Sequence, residues 1–292
     1  MPDRNAGASR PHLTAIYRYP VKGLSPEPLE TVALTPGATL PFDRAYAIEN
    51  GPGPFDPQAP AHLPKIHFVM LMRNEQLAAL KTRFEDATHT LSIRHDGVHT
   101  AHNSSDTSSV HPGTRGHSMA APERETTVEE NSIAAQGDLR TASGRAAIEA
   151  FITAYMGPAL RGPPRVVAAH GHSFSDVKDK CLHIINLESV RALESLIGAR
   201  LNPLRFRPNL ILDGLPAWSE FDLVGKTLHV GPATLEVFKR TERCAATNVD
   251  PATGTRDLKI PTFLSRSLGH ADFGVYARVA EGGEVKLGDG VG

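Results

Sequence analysis

Apolar and polar residues alternate along short stretches of the first third of the chain, a pattern that is typical of half-buried β-strands. The alternation is clearest over 12–19, and Pro20 ends this strand because proline cannot donate to a strand ladder. Separated by turns rich in proline and glycine, further strands are predicted at 29–34, 45–48, 66–72 and 89–94. This part of the chain therefore predicts a small antiparallel β unit.

Helical periodicity replaces the alternation at three places. Apolar residues at spacings of three and four behind Asn74, a plausible N-cap, predict a helix over 74–84. A second helix is predicted to begin at Ser143 and to end at a Gly-Pro pair, and a third to span 187–197. Seven more strands are predicted at 165–169, 182–185, 209–212, 227–230, 234–239, 274–279 and 284–287.

The number of short strands predicts a mainly β (α+β) fold, with a closed or nearly closed β-barrel and peripheral helices. Residues 97–137 contain few apolar side chains, so we predict that they form a polar linker or an insertion. At 292 residues the chain is long enough for two domains. We therefore predict a flexible tail over 1–11, a small β domain over 12–96 and a larger barrel domain over 138–292.

Composition narrows the possible functions. A net charge of −1 supplies no overall field that would attract nucleic acid or an anionic membrane surface. With only two cysteines, a disulfide framework, a four-cysteine zinc site and an all-cysteine iron–sulfur cluster are excluded. The polar start and the lack of a long apolar segment predict a cytoplasmic protein. The sequence contains no glycine-rich phosphate-binding motif, which argues against a nucleotide-driven enzyme.

One cysteine is surrounded in sequence by basic residues that favour its reactive thiolate form. Cys244 lies between a predicted strand and a turn, close to Lys239, Arg240 and Arg243. Positive neighbours stabilise a thiolate, which is both the nucleophilic and the metal-ligating form of cysteine. Sulfur transfer, thiolate catalysis and metal ligation are all consistent with this setting, and a small structural residue at a strand end is the alternative.

Two other arrangements around Cys244 remain open. A cysteine nucleophile would need a histidine base and an orienting acid, and such triads are recognised by geometry rather than by sequence position. The candidate partners are His172, His270, Asp176 and Asp250. Zinc bound by His170, His172 and Cys244 is a weaker alternative, because two histidines two residues apart are common by chance among 14.

Basic residues elsewhere would suit an anionic ligand. Arg205 and Arg207 precede a predicted strand together with Asn209, and guanidinium groups match phosphate geometry. Lys22 and Arg44 add two cations at strand ends of the first half. A solvated, salt-bridged surface is the more common fate of each of these residues taken alone.

The order of five motifs is more specific than any one of them. The sequence contains YPVKGL, DRAYAI, RFRPNLILDG, RCAATNVDPATGTRD and FGVYARV, the last followed by VKLGDGV. Together they resemble the MOSC family, which includes the mitochondrial amidoxime-reducing component and the C-terminal domain of molybdenum cofactor sulfurase. The first half resembles the MOSC N-terminal β-barrel domain, and 137–292 resembles the MOSC domain itself.

The resemblance implies a molybdenum–molybdopterin cofactor. By similarity to the reductases of this family, Cys244 would ligate molybdenum and Tyr276 would lie near the metal. The pterin and its phosphate would be held by Lys22, Arg44, Arg207 and Asn209. Gly23 is a departure from the pattern, because those reductases have serine after the lysine.

The resemblance also implies a function: reduction of N-hydroxylated or related N- or S-oxygenated small molecules. Electrons would come from a separate reductase protein, since this chain has neither a dinucleotide fingerprint nor the cysteines for a cluster. A second possibility is a sulfur carrier with a persulfide on Cys244, supplied by a separate sulfur donor protein. A third is a non-catalytic molybdopterin carrier. None of these functions involves nucleic acid or a membrane.

Overall fold

The computed structural model describes residues 10–95 and 133–292. The strands and helices follow one another along the chain as β1 (His12–Arg18), β2 (Glu27–Leu29), β3 (Thr31–Leu34), β4 (Tyr46–Glu49), β5 (Leu80–Glu85), β6 (Thr90–His95), β7 (Ile133–Asp138), α1 (Ala142–Met156), β8 (Arg165–Ala168), β9 (Leu182–Asn186), α2 (Leu187–Ile197), β10 (Leu210–Asp213), β11 (Thr227–Val230), β12 (Ala233–Glu242), α3 (Ile260–Leu268), β13 (Asp272–Glu281) and β14 (Gly283–Lys286).

The largest sheet has seven strands in the order β11-β12-β13-β9-β10-β1-β2. Strands β9 and β10 are parallel, whereas the other neighbours are antiparallel. Three smaller sheets pair β14 with β3, β4 with β8, and β5 with β6 and β7. The mainly β fold is confirmed, but among the described residues no sheet closes on itself as the barrel prediction required.

The seven-stranded sheet has a hydrophobic core on each face. In β9, Leu182 and Ile184 contribute to the core shared with β3 and β14, and Ile185 contributes to the core beneath α2 and α3. This division follows from the alternation of side chains along a strand. Because both faces are covered, every residue of β9 is buried.

Helix α1 covers the three-stranded sheet and buries Ile148, Ile152 and Met156 against it. Its N-cap is Thr141, whose hydroxyl accepts a hydrogen bond from the Gly144 N–H at 3.0 Å, rather than the predicted Ser143. Helix α2 has the predicted bounds. It begins after Asn186 and ends at a left-handed glycine.

Several predicted elements are wrong. The predicted helix over 74–84 is a short 3₁₀ turn, Glu75–Ala79, followed by β5, in which Phe84 pairs with Leu91 of β6. The predicted strand over 66–72 is replaced by a 3₁₀ turn and a single bridge between Phe68 and Glu49.

Strand β7 includes 133–137, the end of the predicted linker, and the rest of that linker lies outside the described residues. The predicted tail over 1–11 lies outside them except for its last two residues. Helix α3 was not predicted. Within 10–95 and 133–292, no helix has the length and apolar character needed to span a membrane.

Candidate functional site

The six residues that the sequence singled out come from distant parts of the chain and line one cavity, here called the Cys244 cavity. They lie in the turn after β1, before β4, before β10, after β12 and in β13. The six are Lys22, Arg44, Arg207, Asn209, Cys244 and Tyr276. Their roles as ligand-binding residues stay predictions, but the fold brings all of them together.

Cys244 follows β12 and precedes a 3₁₀ turn, with its backbone extended and its side chain partly exposed. Its carbonyl accepts hydrogen bonds from the Thr247 N–H at 3.1 Å and hydroxyl at 2.9 Å, which fix the start of the turn. Lys65 lines the same cavity, and its neighbours Asp176 and Cys244 raise the pKa of its ammonium. A further cation therefore lies in the cavity with the sulfur, and it comes from a position that the sequence analysis did not identify.

A carboxylate joins two lysines next to this cysteine. Lys22 Nζ donates to the Phe174 carbonyl at 2.7 Å and to the Asp176 carboxylate, which also lies 3.6 Å from Lys65 Nζ. Burial lowers the pKa of Lys22. Burial alone would raise the pKa of Asp176, but the two lysines hold it well below its usual range, so the carboxylate stays ionised.

Two arginines are stacked on one buried tyrosine. The guanidinium carbons of Arg44 and Arg207 lie 4.6 and 4.1 Å from the centre of the Tyr19 ring. Arg44 is also bound to Asp43 at 2.5 Å, whereas burial lowers the pKa of Arg207 to about 10. Both arginines have φ of +52°, a left-handed conformation that costs energy for a side chain with a Cβ and is concentrated at functional sites.

Asn209 lines the cavity and is held by the backbone of β1 and β9. Its side-chain oxygen accepts from the His183 N–H at 3.0 Å and its amide donates to the Tyr17 carbonyl at 3.1 Å. The side chain is thus bound to the backbone of two neighbouring strands, and it fixes the loop that carries Arg207. These bonds help to position that arginine, and the predicted role of Asn209 toward a ligand stays a prediction.

Aromatic and imidazole groups form another wall. The Tyr276 ring lies 5.5 Å from the His183 ring. Burial raises the pKa of Tyr276, and burial together with Arg243 lowers the pKa of His183 well below its usual value. Both groups are therefore neutral near pH 7, so they add hydrogen-bonding capacity without charge.

Three basic residues lie near Cys244 in sequence. Of these three, Arg243 is the one found among the described residues that line the cavity. Lys239 is exposed, and Arg240 lies 4.4 Å from the Phe221 ring. Arg243 Nη2 donates to the Phe206 carbonyl at 2.8 Å, but its buried Nε has no hydrogen-bond partner within 10–95 and 133–292. Such a group is costly to bury unless a ligand compensates it.

The balance of charge indicates the kind of ligand that fits. Among the described residues lining the cavity, five cations stand against one carboxylate, Asp176; the cations are Lys22, Arg44, Lys65, Arg207 and Arg243. This excess fits an anionic, phosphate-bearing group, as molybdopterin is.

Gly23 is also consistent with the shape of the site. Its φ is +86°, a left-handed conformation that favours glycine over serine. A Cβ at this position would lie only 3.0 Å from the Val69 carbonyl oxygen. The departure from the family pattern at this position therefore has a local steric reason.

The alternative arrangements around Cys244 are not formed. His172 packs against Phe55 and Phe174 and lines a separate cavity with His170, while His270 lies beside Phe221. Asp250 is bound to Arg205. Across the described ranges, no group of three or more His, Cys, Asp or Glu side chains could hold a metal ion, so the zinc alternative is wrong.

Sequence reasoning did not identify Lys65 or His183, because no motif marked either residue. Asp176 was considered as a triad acid, and Arg243 as a neighbour of the cysteine. The lysine is brought to the cavity by the 3₁₀ turn at Lys65–His67, whose place in the fold no local pattern indicated.

Comparison with known proteins agrees with this geometry. The family model described as MOSC N-terminal beta barrel domain matches residues 10–157, and the MOSC domain model matches 169–292. The chain belongs to the MOSC family. The predicted family is thereby confirmed, and the two matches together cover most of the chain.

More distant similarity points to named relatives. Over 120 residues, the chain is 28% identical to mouse mitochondrial amidoxime-reducing component 1, a match that covers 37% of this chain and 35% of that protein. It is 29% identical over 122 residues to rat mitochondrial amidoxime reducing component 2, covering 38% and 36%. The aligned region thus spans about a third of the length of each of these relatives.

Solved structures show only remote likeness. The YUAD protein from Bacillus subtilis matches over 97% of this chain and 94% of its own, with 12% identity and a TM-score of 0.40. YiiM from Geobacillus stearothermophilus matches over 38% and 52%, with 20% identity and a TM-score of 0.31.

Proposed function

We propose that this protein is a molybdenum-cofactor-dependent oxidoreductase that reduces N-hydroxylated or related N- or S-oxygenated small molecules. The observation that carries the proposal is the Cys244 cavity, in which an excess of positive charge surrounds the partly exposed Cys244. The family and the amidoxime-reducing relatives support the same conclusion.

The residues present have clear roles toward such a cofactor. Lys22, Arg44, Arg207 and Arg243 would hold the phosphate and the pterin through charge-assisted hydrogen bonds. Cys244 would supply a thiolate ligand, which suits a soft metal centre. When bound, the cofactor supplies the two-electron chemistry that removes oxygen from the substrate.

Lys65 and Asp176 would act on the substrate side of the site. Burial lowers the pKa of Lys65, but the Asp176 carboxylate and Cys244 outweigh burial and raise it, so the ammonium keeps its proton. From its position in the cavity, Lys65 Nζ would donate a hydrogen bond to the oxygen of an N–O group. Asp176 holds this ammonium in place, while Met70, Leu71 and Met72 give the cavity an apolar side that limits water.

We also propose that a separate reductase protein delivers the electrons. The sequence has two cysteines and no dinucleotide-binding fingerprint, so the chain lacks the usual means to hold a flavin dinucleotide or a cluster held by four cysteines. The cytoplasmic location stays a prediction.

The experiment is metal and pterin analysis of protein purified from cells that make molybdenum cofactor. We expect about one molybdenum and one pterin per chain, as one ligating thiolate implies, and reduction of benzamidoxime by chemically reduced methyl viologen. Cys244→Ala should lose the molybdenum. Cys181, the other cysteine lining this cavity, is buried, and burial raises the pKa of its thiol to about 12, which disfavours the ligating thiolate. Cys181→Ala is therefore the matched control and should retain the molybdenum.

Other outcomes decide between the alternatives. Cofactor bound without turnover of any N-oxygenated substrate would indicate the non-catalytic carrier. A persulfide on Cys244 in protein without molybdenum would contradict the reductase and support the sulfur carrier. Equal molybdenum in the wild type and Cys244→Ala would refute the ligand assignment.

A further inference from the structure

A second cavity opens beside the Cys244 cavity and is here called the flanking cavity. Its volume is about 320 Å³. The two cavities have four lining residues in common, namely Gly23, Leu71, Arg207 and Ala246. Since Ala246 follows Cys244 by two residues, the flanking cavity lies close to the segment that carries the sulfur.

Size makes this connection important. The space beside Cys244 is about 100 Å³, whereas cavities that bind small organic ligands usually measure about 300–1,000 Å³. It cannot take both the cofactor and the organic group of a substrate. That group therefore needs adjoining space, and the flanking cavity has the required volume.

The charges of the two cavities differ. In the flanking cavity, the Arg205 guanidinium is neutralised by Asp250 at 2.7 Å and by Asp257 at 2.6 Å. Lys81 Nζ donates to the carbonyls of Ala78 and Pro251, at 3.2 and 3.0 Å. With Arg207, which it shares with the Cys244 cavity, the flanking cavity has three lining cations where the Cys244 cavity has five, and one of the three is neutralised by two carboxylates. The flanking cavity is therefore less positive than the space around Cys244.

The walls are suited to an apolar group. Leu24, Leu71, Leu204 and Val249 line the flanking cavity, and the hydroxyls of Ser25 and Thr82 are bonded to each other at 2.7 Å. An anionic phosphate or pterin gains more from the cations around Cys244, whereas an uncharged organic group loses least by leaving water in the flanking cavity.

We propose that the flanking cavity binds the uncharged, mainly apolar organic group of the substrate and directs its N-oxygenated end toward Cys244. This inference rests on the proposed reductase function and adds to it the site that selects substrates by the size of their organic group. Substrates with a ring the size of benzene use the cavity, whereas hydroxylamine does not reach it.

Ala252 offers a way to fill the cavity without disturbing the core. Its side chain is exposed at the cavity edge, and its N–H donates to the Asp250 carboxylate at 2.7 Å, a bond that any non-proline residue can keep. Ala252→Trp would place an indole in the space. Ala199→Trp is the matched control, because Ala199 is exposed and, in the described structure, lines neither cavity.

The test compares two substrates with the cofactor-loaded protein. For Ala252→Trp we expect the KM for benzamidoxime to rise by about tenfold or more, the scale of steric discrimination in a binding pocket. The KM for hydroxylamine, the molybdenum content and the pterin content should stay at the wild-type level. Ala199→Trp should match the wild type with both substrates.

Three results for Ala252→Trp would overturn the inference. They are an unchanged KM for benzamidoxime, an equal rise in KM for both substrates, or loss of pterin, which would place the cofactor in the flanking cavity. If the wild type reduces neither substrate, the reductase proposal fails and binding decides the inference separately. Saturation-transfer NMR without a reductant would then support the cavity if benzamidoxime binds the wild type and Ala199→Trp but not Ala252→Trp. Equal binding to all three proteins, or none to the wild type, would refute it.

Discussion

Replacing Glu220 with glutamine is expected to stabilise the protein near neutral pH but not in acid. Glu220 is fully buried, and one of its oxygens accepts from the Ser189 hydroxyl at 2.7 Å. The other oxygen has no hydrogen-bond partner in the part of the chain that the structure describes. Burial raises the pKa of Glu220 above its ordinary value of 4.5, despite the opposing hydrogen bond from Ser189.

The sign of the pH dependence follows from proton binding. As the pH rises past 4.5, the unfolded chain releases the Glu220 proton first, while the folded protein retains it. The folded state then binds more protons, so the contribution of this group to stability falls as the pH rises toward its folded pKa. Below the unfolded pKa, that contribution is fully present.

The structure also sets the size of the effect. A buried polar atom without a partner costs about 1–3 kcal/mol, and a charged one costs more. Glutamine can accept the Ser189 hydrogen bond and keeps one unpartnered atom, but it carries no charge. We therefore expect a gain of about 1–2 kcal/mol at pH 8, which for a chain of this size raises the melting temperature by about 2–4 °C per kcal/mol.

Thermal unfolding of cofactor-free protein across the pH range from about 4 to about 8 would measure this difference. The exposed Glu284→Gln serves as the control and should change the melting temperature little at any pH. A gain that is equal at both ends of the range, or a loss near neutral pH, would refute the reasoning, because the charge on Glu220 would then not be its cause.

Three further predictions concern the site and its supports. Gly23→Ala should cost about 1–2 kcal/mol or more, whereas Gly37→Ala, equally left-handed but with no described atom within 4 Å of its Cβ position, should cost less; urea denaturation compares them. Arg205→Ala should lower the free energy of unfolding by about 2–4 kcal/mol in the same assay, because it leaves two carboxylates unpaired, one of them half-exposed. An unchanged urea midpoint would contradict this. Inorganic phosphate should raise the melting temperature of cofactor-free protein, because at a hundred times its Kd a ligand adds about 2.7 kcal/mol to the free energy of unfolding. An equal rise of the melting temperature in Lys22→Gln would contradict the role of Lys22 in binding an anion.

Local patterns predicted those elements whose signals agree with one another. Helix α2 has a capping asparagine, an apolar stripe and a terminal glycine, and its bounds were predicted correctly. The segment before β6 was misread because Leu80 and Phe84 are four residues apart. That spacing places them on one face of a helix, but equally on one face of a strand, and pairing with β6 decided for the strand.

The residues of the candidate site also differ in whether the sequence could identify them. Residues within motifs, such as Lys22 and Cys244, were identified because the order of motifs along the chain indicates the family. Lys65 was not, since its place in the cavity depends on packing between segments far apart in sequence. The separate positions of Arg240 and Arg243 follow from the end of β12, where side chains no longer alternate and the chain turns into the cavity.

The place of β1 in the seven-stranded sheet has a consequence for how the protein assembles. The first strand of the chain lies between β10 and β2, and β10 is about two hundred residues away along the chain. The sheet that carries most of the MOSC domain therefore cannot be completed by that domain alone. During synthesis its first strand emerges early and must wait for a partner made late, so non-local pairing should slow folding. A fragment starting at residue 169 would expose the unpaired edge of β10, which could pair with another copy of the fragment and cause self-association.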